Sequence, residues 1–150
     1  MRRLFAFTLC AVLVFATPAQ AGTVTTNLST KIKIWVFVAD VTGPVTIAVT
    51  LAKTPTVIFL VLDTGADPLL WCAGVSTDRI VRCEFPAIGG VGYAIGMATI
   101  SGKTKMQMNV RGSRSESVSR GAGDELRQID PANASAEIKG AMEKLRSRVR

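Results

Sequence analysis

The sequence predicts an all-β fold, an antiparallel β-sandwich of about seven strands with a C-terminal helical tail. Apolar and polar residues alternate along several short segments, which is the pattern of strands with one buried face. Turn-forming residues separate these segments at intervals of roughly ten residues, as they do in sandwiches. The length of 150 residues corresponds to one domain with some chain left for a tail. We expect residues 22–111 to form the domain.

Seven segments of the chain have the composition of β-strands. Residues 104–111 alternate most clearly, because Met106, Met108 and Val110 share one face. Residues 57–62 are continuously apolar, which is typical of a central strand that is buried on both faces. The other predicted strands are residues 31–39, 45–51, 80–85 and 93–101 and a short piece that ends at Trp71 and Cys72. Residues 22–30 form either a leading loop or an edge strand.

Residues 1–21 have the organisation of a signal peptide. Arg2 and Arg3 form the basic start, residues 4–16 the apolar middle, and residues 19–21 an Ala-x-Ala cleavage site that predicts a mature chain beginning at Gly22. The apolar stretch is shorter than the roughly 20 residues that a membrane-spanning helix needs. We therefore expect the mature protein to be exported and to be periplasmic or secreted.

The cysteines predict one disulfide bond in the mature chain. Cys10 leaves with the signal peptide, so Cys72 and Cys83 remain. In an oxidising compartment two such cysteines form a bridge, here between neighbouring strands, and a closed loop of this size stabilises the fold by roughly 3 kcal/mol. The alternative is a pair of free buried thiols.

The absence of histidine narrows the possible chemistry. With no histidine in the chain, Ser-His-Asp and Cys-His catalysis are excluded, and a zinc or copper site lacks its usual ligand. We expect no metal and no cofactor. The formal charge of +7 falls to +5 when Arg2 and Arg3 are removed. This charge is spread along the chain and does not indicate nucleic acid as a partner.

The last 39 residues differ in composition from the domain. Residues 112–133 begin with Ser, Arg and Gly and predict a flexible linker. Residues 134–150 predict an amphipathic helix with Ser135 as its N-cap. Its apolar stripe is Ile138, Ala141, Met142, Leu145 and Val149, and its cations are Lys144, Arg146, Arg148 and Arg150. The cations predict contact with an anionic membrane or a partner; the alternatives are a helix packed on its own domain or one frayed in solution.

The domain resembles an immunoglobulin-like repeat domain of bacterial surface and secreted proteins over residues 31–112. The resembling residues are Trp71-Cys72, Val81-Arg82-Cys83, Ile88-Gly89-Gly90, residues 93–100, Gly102 and residues 106–110, with a looser match at Val36, Val38, Gly43, Pro44, Val45, Ile47 and Val49. The resemblance implies an immunoglobulin-like β-sandwich without catalytic activity. Such a domain would bind a protein or envelope partner, or serve as a structural component outside the cell.

Residues 60–66, with the sequence Leu-Val-Leu-Asp-Thr-Gly-Ala, resemble the catalytic signature of pepsin-like and retroviral-type aspartic peptidases. The resemblance implies a catalytic Asp63 in a turn with Thr64 and Gly65. This chemistry needs two aspartates that share a proton, so a chain with one Asp-Thr-Gly would act as a homodimer. The later apolar-apolar-Gly segment of the family would be residues 94–96. The alternative is a turn that ends a buried strand, for which Asp and Gly are equally suited.

Overall fold

The computed structural model describes residues 20–40, 42–112 and 126–149, which form nine β-strands and one α-helix. The strands are β1 (Gln20–Leu28), β2 (Lys33–Val38), β3 (Gly43–Leu51), β4 (Val57–Asp63), β5 (Leu70–Ser76), β6 (Ile80–Ala87), β7 (Gly92–Thr99), β8 (Thr104–Gly112) and β9 (Arg127–Ile129). A short 3-10 helix, Pro131–Asn133, precedes the helix α1 (Ala136–Ser147). The predicted all-β sandwich with a C-terminal helix is confirmed.

The strands form two antiparallel sheets whose pairing follows one rule. The four-stranded sheet has the order β1-β8-β3-β6, and the five-stranded sheet has the order β5-β4-β7-β2-β9. The first strand pairs with the eighth, the second with the seventh, the third with the sixth and the fourth with the fifth. A long hairpin rolled up on itself gives this pairing, which is the jelly-roll arrangement.

This strand order corrects the finer expectation of an immunoglobulin-like arrangement. In the immunoglobulin order the first two strands are neighbours in one sheet. Here β1 and β2 lie in different sheets. Alternation of apolar residues determines which face of a strand is buried, and it carries no information on which strand lies beside it.

The five-stranded sheet is buried on both faces, which explains the continuous apolar run of β4. Val57 and Val61 face the four-stranded sheet and join the central core. Ile58, Leu60 and Leu62 face the other way and pack under α1. Each fully buried side chain of this kind contributes about 1.5–3 kcal/mol of hydrophobic free energy. The prediction that residues 57–62 form a central buried strand is therefore confirmed.

The tail is a third layer of the fold. The Ser135 hydroxyl accepts a hydrogen bond from the Ile138 N–H at 3.4 Å, so the predicted N-cap is confirmed. Ile138 and Met142 are buried against the five-stranded sheet, and the other residues of the predicted stripe are partly buried there. The helix thus packs on its own domain, which was one of the open alternatives.

The predicted linker and signal peptide are only partly within the described residues. Residues 127–129 form β9, which pairs with β2 at Trp35 opposite Gln128, so the prediction of a flexible linker is wrong for residues 126–133. Three residues without an apolar pattern give no strand signal, and their strand conformation comes from this pairing. Residues 113–125 of the linker and residues 1–19 of the predicted signal peptide lie outside the described residues.

The predicted disulfide bond joins Cys72 to Cys83, with their Cα atoms 6.1 Å apart. Cys72 lies in β5 and Cys83 in β6, and these are edge strands of different sheets. The bridge therefore connects the two layers, and the two strands that it joins are not paired in one sheet. Beside it, Trp71 stacks on Phe85 with a centroid distance of 5.6 Å, so an aromatic pair covers the layer junction.

Replacing both cysteines, as Cys72→Ser with Cys83→Ser, should lower the free energy of unfolding by roughly 3 kcal/mol, because the unfolded chain regains the entropy of the open loop. Urea denaturation measures this difference. Reduction of the wild-type protein is the control and should give the same loss. An unchanged midpoint in both experiments would contradict a structural bridge between the layers.

The contact between Gly96 and Met142 should control the docking of α1. A Cβ atom at Gly96 would lie 3.0 Å from the Met142 sulfur, so Gly96→Val should destabilise the protein by about 1–3 kcal/mol through overpacking. Gly140→Ala is the control within α1, because its Cβ would meet open space, and it should stabilise by about 1 kcal/mol. Urea denaturation of both variants checks these signs, and two changes of the same sign would contradict the packing described.

Candidate functional site

The seven connections between consecutive strands from β1 to β8 gather alternately at the two ends of the sandwich. We call one end the Asp63 end, which comprises residues 38–40, 42, 63–70 and 88–92. The other is the lysine end, which comprises residues 29–33, 51–56, 77–80 and 100–105. The two ends differ in charge and in exposed apolar side chains.

Asp63 is the last residue of β4 and is half-buried. Its carboxylate oxygen Oδ1 accepts a hydrogen bond from the Gly65 N–H at 3.3 Å, and its own N–H donates to the Leu69 carbonyl at 3.2 Å. An aspartate that bonds to the backbone two residues ahead forms an Asx turn. The Asp-Thr-Gly motif thus closes the strand with a local turn.

The Thr64 backbone connects this turn to the next loop. Its N–H donates to the Gly92 carbonyl at 2.8 Å, and its hydroxyl would clash with a Cβ atom at residue 92. A side chain at residue 92 would therefore displace the Thr64 hydroxyl. The aspartic-peptidase resemblance places Thr64 in a catalytic turn, and in the structure its backbone joins two loops.

In aspartic peptidases a β-hairpin, called the flap, covers the catalytic turn. The surroundings of Asp63 differ from this arrangement. The predicted apolar-apolar-Gly segment, residues 94–96, lies in β7 beside β4, where Leu60 pairs with Gly96. Two loops lie between β5 and Gly96 in the sequence. Residues 77–79 form the first loop, which lies at the opposite end of the sandwich from Asp63. Residues 88–91 lie at the Asp63 end, but backbone hydrogen bonds of Val91 and Gly90 hold them to Ala39. This geometry favours the turn role of Asp63.

The Asp63 end holds most of the exposed large apolar side chains. The described residues have six of them, and four lie here: Val38, Leu69, Leu70 and Ile88. Leu69 is 59% exposed and Ile88 is 55% exposed. Hydrogen bonds join the segments that carry them. The Ile88 N–H donates to the Tyr93 hydroxyl at 2.8 Å, the Gly89 N–H donates to the Thr42 hydroxyl at 3.0 Å, and the Asp63 N–H donates to the Leu69 carbonyl at 3.2 Å.

The lysine end carries a concentration of positive charge. Its residues include six lysines and arginines and one aspartate, Asp78. The exposed cations are Lys31, Lys53, Arg79, Lys103 and Lys105. Lys33 is half-buried, and its ammonium group donates to the Thr26 hydroxyl at 3.0 Å. This group is not apparent in the sequence, because its members come from four separate turns. The signal that the sequence does contain is that each cation lies in or beside a predicted turn.

The cations of the tail lie partly beside the lysine end. The Arg146 guanidinium donates to the Thr30 carbonyl at 2.6 Å and pairs with Glu143 at 3.2 Å. Lys144 and Arg148 are exposed, and Arg150 lies outside the described residues. The apolar stripe of α1 is covered by the sheet, so the docked helix cannot insert that stripe into a membrane.

The described residues contain no group of three or more His, Cys, Asp or Glu side chains that could hold a metal ion. In residues 20–40, 42–112 and 126–149, no helix is long and apolar enough to cross a membrane.

Comparison with known proteins finds similarity among the solved structures. No family model matches the chain, and no curated protein matches it. The chain is similar to the crystal structure of Yersinia pseudotuberculosis-derived mitogen (YPM), with 10% sequence identity and a TM-score of 0.49 over 71% of this chain and 94% of that chain.

Asp63→Asn distinguishes a turn residue from a catalytic one. An asparagine side chain can still accept the Gly65 N–H, so we expect the free energy of unfolding to change by less than about 0.5 kcal/mol. Urea denaturation and an acid-range cleavage assay on an unfolded protein substrate test the two roles. Cleavage by the wild type that disappears in Asp63→Asn would establish catalysis and contradict the turn role.

Proposed function

We propose that the protein is a non-enzymatic binding domain of an oxidising compartment, which contacts a protein partner through the Asp63 end. The observation that carries this proposal is the grouping of four exposed large apolar side chains at one end of the sandwich, on loops and strand ends joined by hydrogen bonds. Exposed apolar patches on small domains mark interaction sites, and fixed loops lose little conformational entropy on binding.

The charge of the Asp63 end indicates the chemistry of the partner. Asp63 and Asp67 lie among the exposed apolar residues, and residues 38–40, 42, 63–70 and 88–92 contain no Lys or Arg. Electrostatic complementarity favours a partner whose contact surface is apolar at its centre and basic at its rim. The binding needs no cofactor and no metal.

The compartment follows from the disulfide bond and the expected signal peptide. A bridge between Cys72 and Cys83 persists where the surroundings are oxidising, such as the periplasm or the exterior of the cell. Both places suit a domain whose two layers are linked covalently. Export of the mature chain to one of them is part of this proposal.

Site-specific photo-crosslinking in the producing cells tests the proposal. A photoreactive amino acid at Leu69 or Ile88 should give one adduct with the same partner protein, because both positions face the same contact surface. Val75 and Ile80 are the matched control positions, since they are also exposed apolar residues and lie outside the Asp63 end. Adducts are detected by mass shift and identified by peptide sequencing.

A second substitution links the adduct to the surface. Leu69→Asp should remove the adduct formed from Ile88 and leave the unfolding midpoint nearly unchanged, because Leu69 is exposed. Equal labelling from all four positions, or no adduct from Leu69 and Ile88, would overturn the proposal.

A further inference from the structure

We propose that the lysine end binds the anionic phospholipid surface of a membrane and thereby turns the Asp63 end away from that surface. This goes beyond the proposed protein binding and is carried by different residues. Six lysines and arginines against one aspartate give the lysine end a formal charge of +5. Anionic headgroups attract such a cluster within a Debye length of the membrane, about 8–10 Å.

Backbone hydrogen bonds hold the four loops of the lysine end together. The Leu51 N–H donates to the Arg79 carbonyl at 2.7 Å, and the Ala52 N–H donates to the Lys105 carbonyl at 2.8 Å. The Thr99 N–H donates to the Ser29 carbonyl at 2.9 Å, which joins the remaining loop. The cations therefore project from one connected platform, and binding a flat surface requires little ordering of the backbone.

Apolar exposure at this end favours a lipid surface. Ile80 is 50% exposed and directly follows Arg79, so an apolar side chain stands beside the cations. Such a combination can bury the apolar group at the headgroup boundary while the cations contact phosphates. No aromatic residue occurs in residues 29–33, 51–56, 77–80 or 100–105, so the platform lacks the stacking surface that single-stranded nucleic acids use.

The tail contributes to the edge of this surface through Arg146. Its contact with the Thr30 carbonyl places the C-terminal part of α1 beside the loop that carries Lys31. The sequence analysis predicts membrane contact through Lys144, Arg146, Arg148 and Arg150, and the present proposal assigns the main contact to the lysine end instead. The loops supply the principal charge, and the docked helix supplies a smaller share.

Vesicle sedimentation with the full mature protein tests this inference. Binding should occur on vesicles that contain phosphatidylglycerol and be absent on phosphatidylcholine alone, and it should weaken as salt is raised. Lys53→Gln with Lys103→Gln should lower the partition coefficient roughly thirtyfold, which is about fivefold for each cation lost. Arg82→Gln with Arg127→Gln is the control with the same change in charge on other faces of the domain, and it should change binding by less than about twofold.

Four outcomes would overturn the inference. One is equal binding to both kinds of vesicle, and a second is equal loss in the two pairs of variants, which would indicate a net-charge effect. A third is loss of binding in Lys144→Gln with Arg148→Gln but none in the loop pair, which would assign binding to the tail. The fourth is binding of a single-stranded oligonucleotide as tight as that of the vesicles. Crosslinking from Leu69 is independent of all four, so the protein-binding proposal can fail or stand separately.

Discussion

The fold depends on burial of the five-stranded sheet on both of its faces. β4 and β7 are apolar on each side, and the four-stranded sheet covers only one of these sides. Without α1, Leu60 and its neighbours on the outer face would be exposed to water, at a cost of about 1.5–3 kcal/mol for each large side chain. The helix is therefore a structural layer, and its apolar residues are packed against the five-stranded sheet. What it leaves for function is its charged surface and the two ends of the sandwich.

The rolled-hairpin pairing explains why the two ends differ. The chain changes direction at each strand. The connections that follow β1, β3, β5 and β7 therefore lie at the lysine end, and those that follow β2, β4 and β6 lie at the Asp63 end. Residues as distant in sequence as Lys31 and Lys103 therefore contribute to one surface. The hydrogen bonds between loops at each end give both surfaces a fixed form. The alternation of the loops between the two ends thus concentrates positive charge at the lysine end, where a planar or a convex partner can contact it.

The sequence predicted which segments are extended and which residues they bury, but not how the strands are ordered. The run 57–62, the bridge between Cys72 and Cys83 and the Ser135 cap are encoded locally, by composition or spacing over a few residues. Strand order and β9 are set by contacts between distant segments, which alternation does not encode. The same limit applies to function. The Asp-Thr-Gly motif is a local pattern and could be identified from the sequence as a candidate catalyst. The lysine end consists of four turns that the strand order brings together, so it could be identified only from the structure.

The distance between the ends determines how far the two proposed contacts can influence each other. β4 spans seven residues, and at about 3.3 Å per residue a strand of this length separates the ends by roughly 20 Å. The Debye length at physiological salt is about 8 Å, so the charge of a membrane at the lysine end is largely screened at Asp63 and Asp67. Anionic lipid at the lysine end therefore competes little for a basic partner bound at the Asp63 end. The cations of the lysine end are likewise repelled only weakly by that partner. The sandwich separates two electrostatically opposite contacts by its own length, and both can be occupied at once.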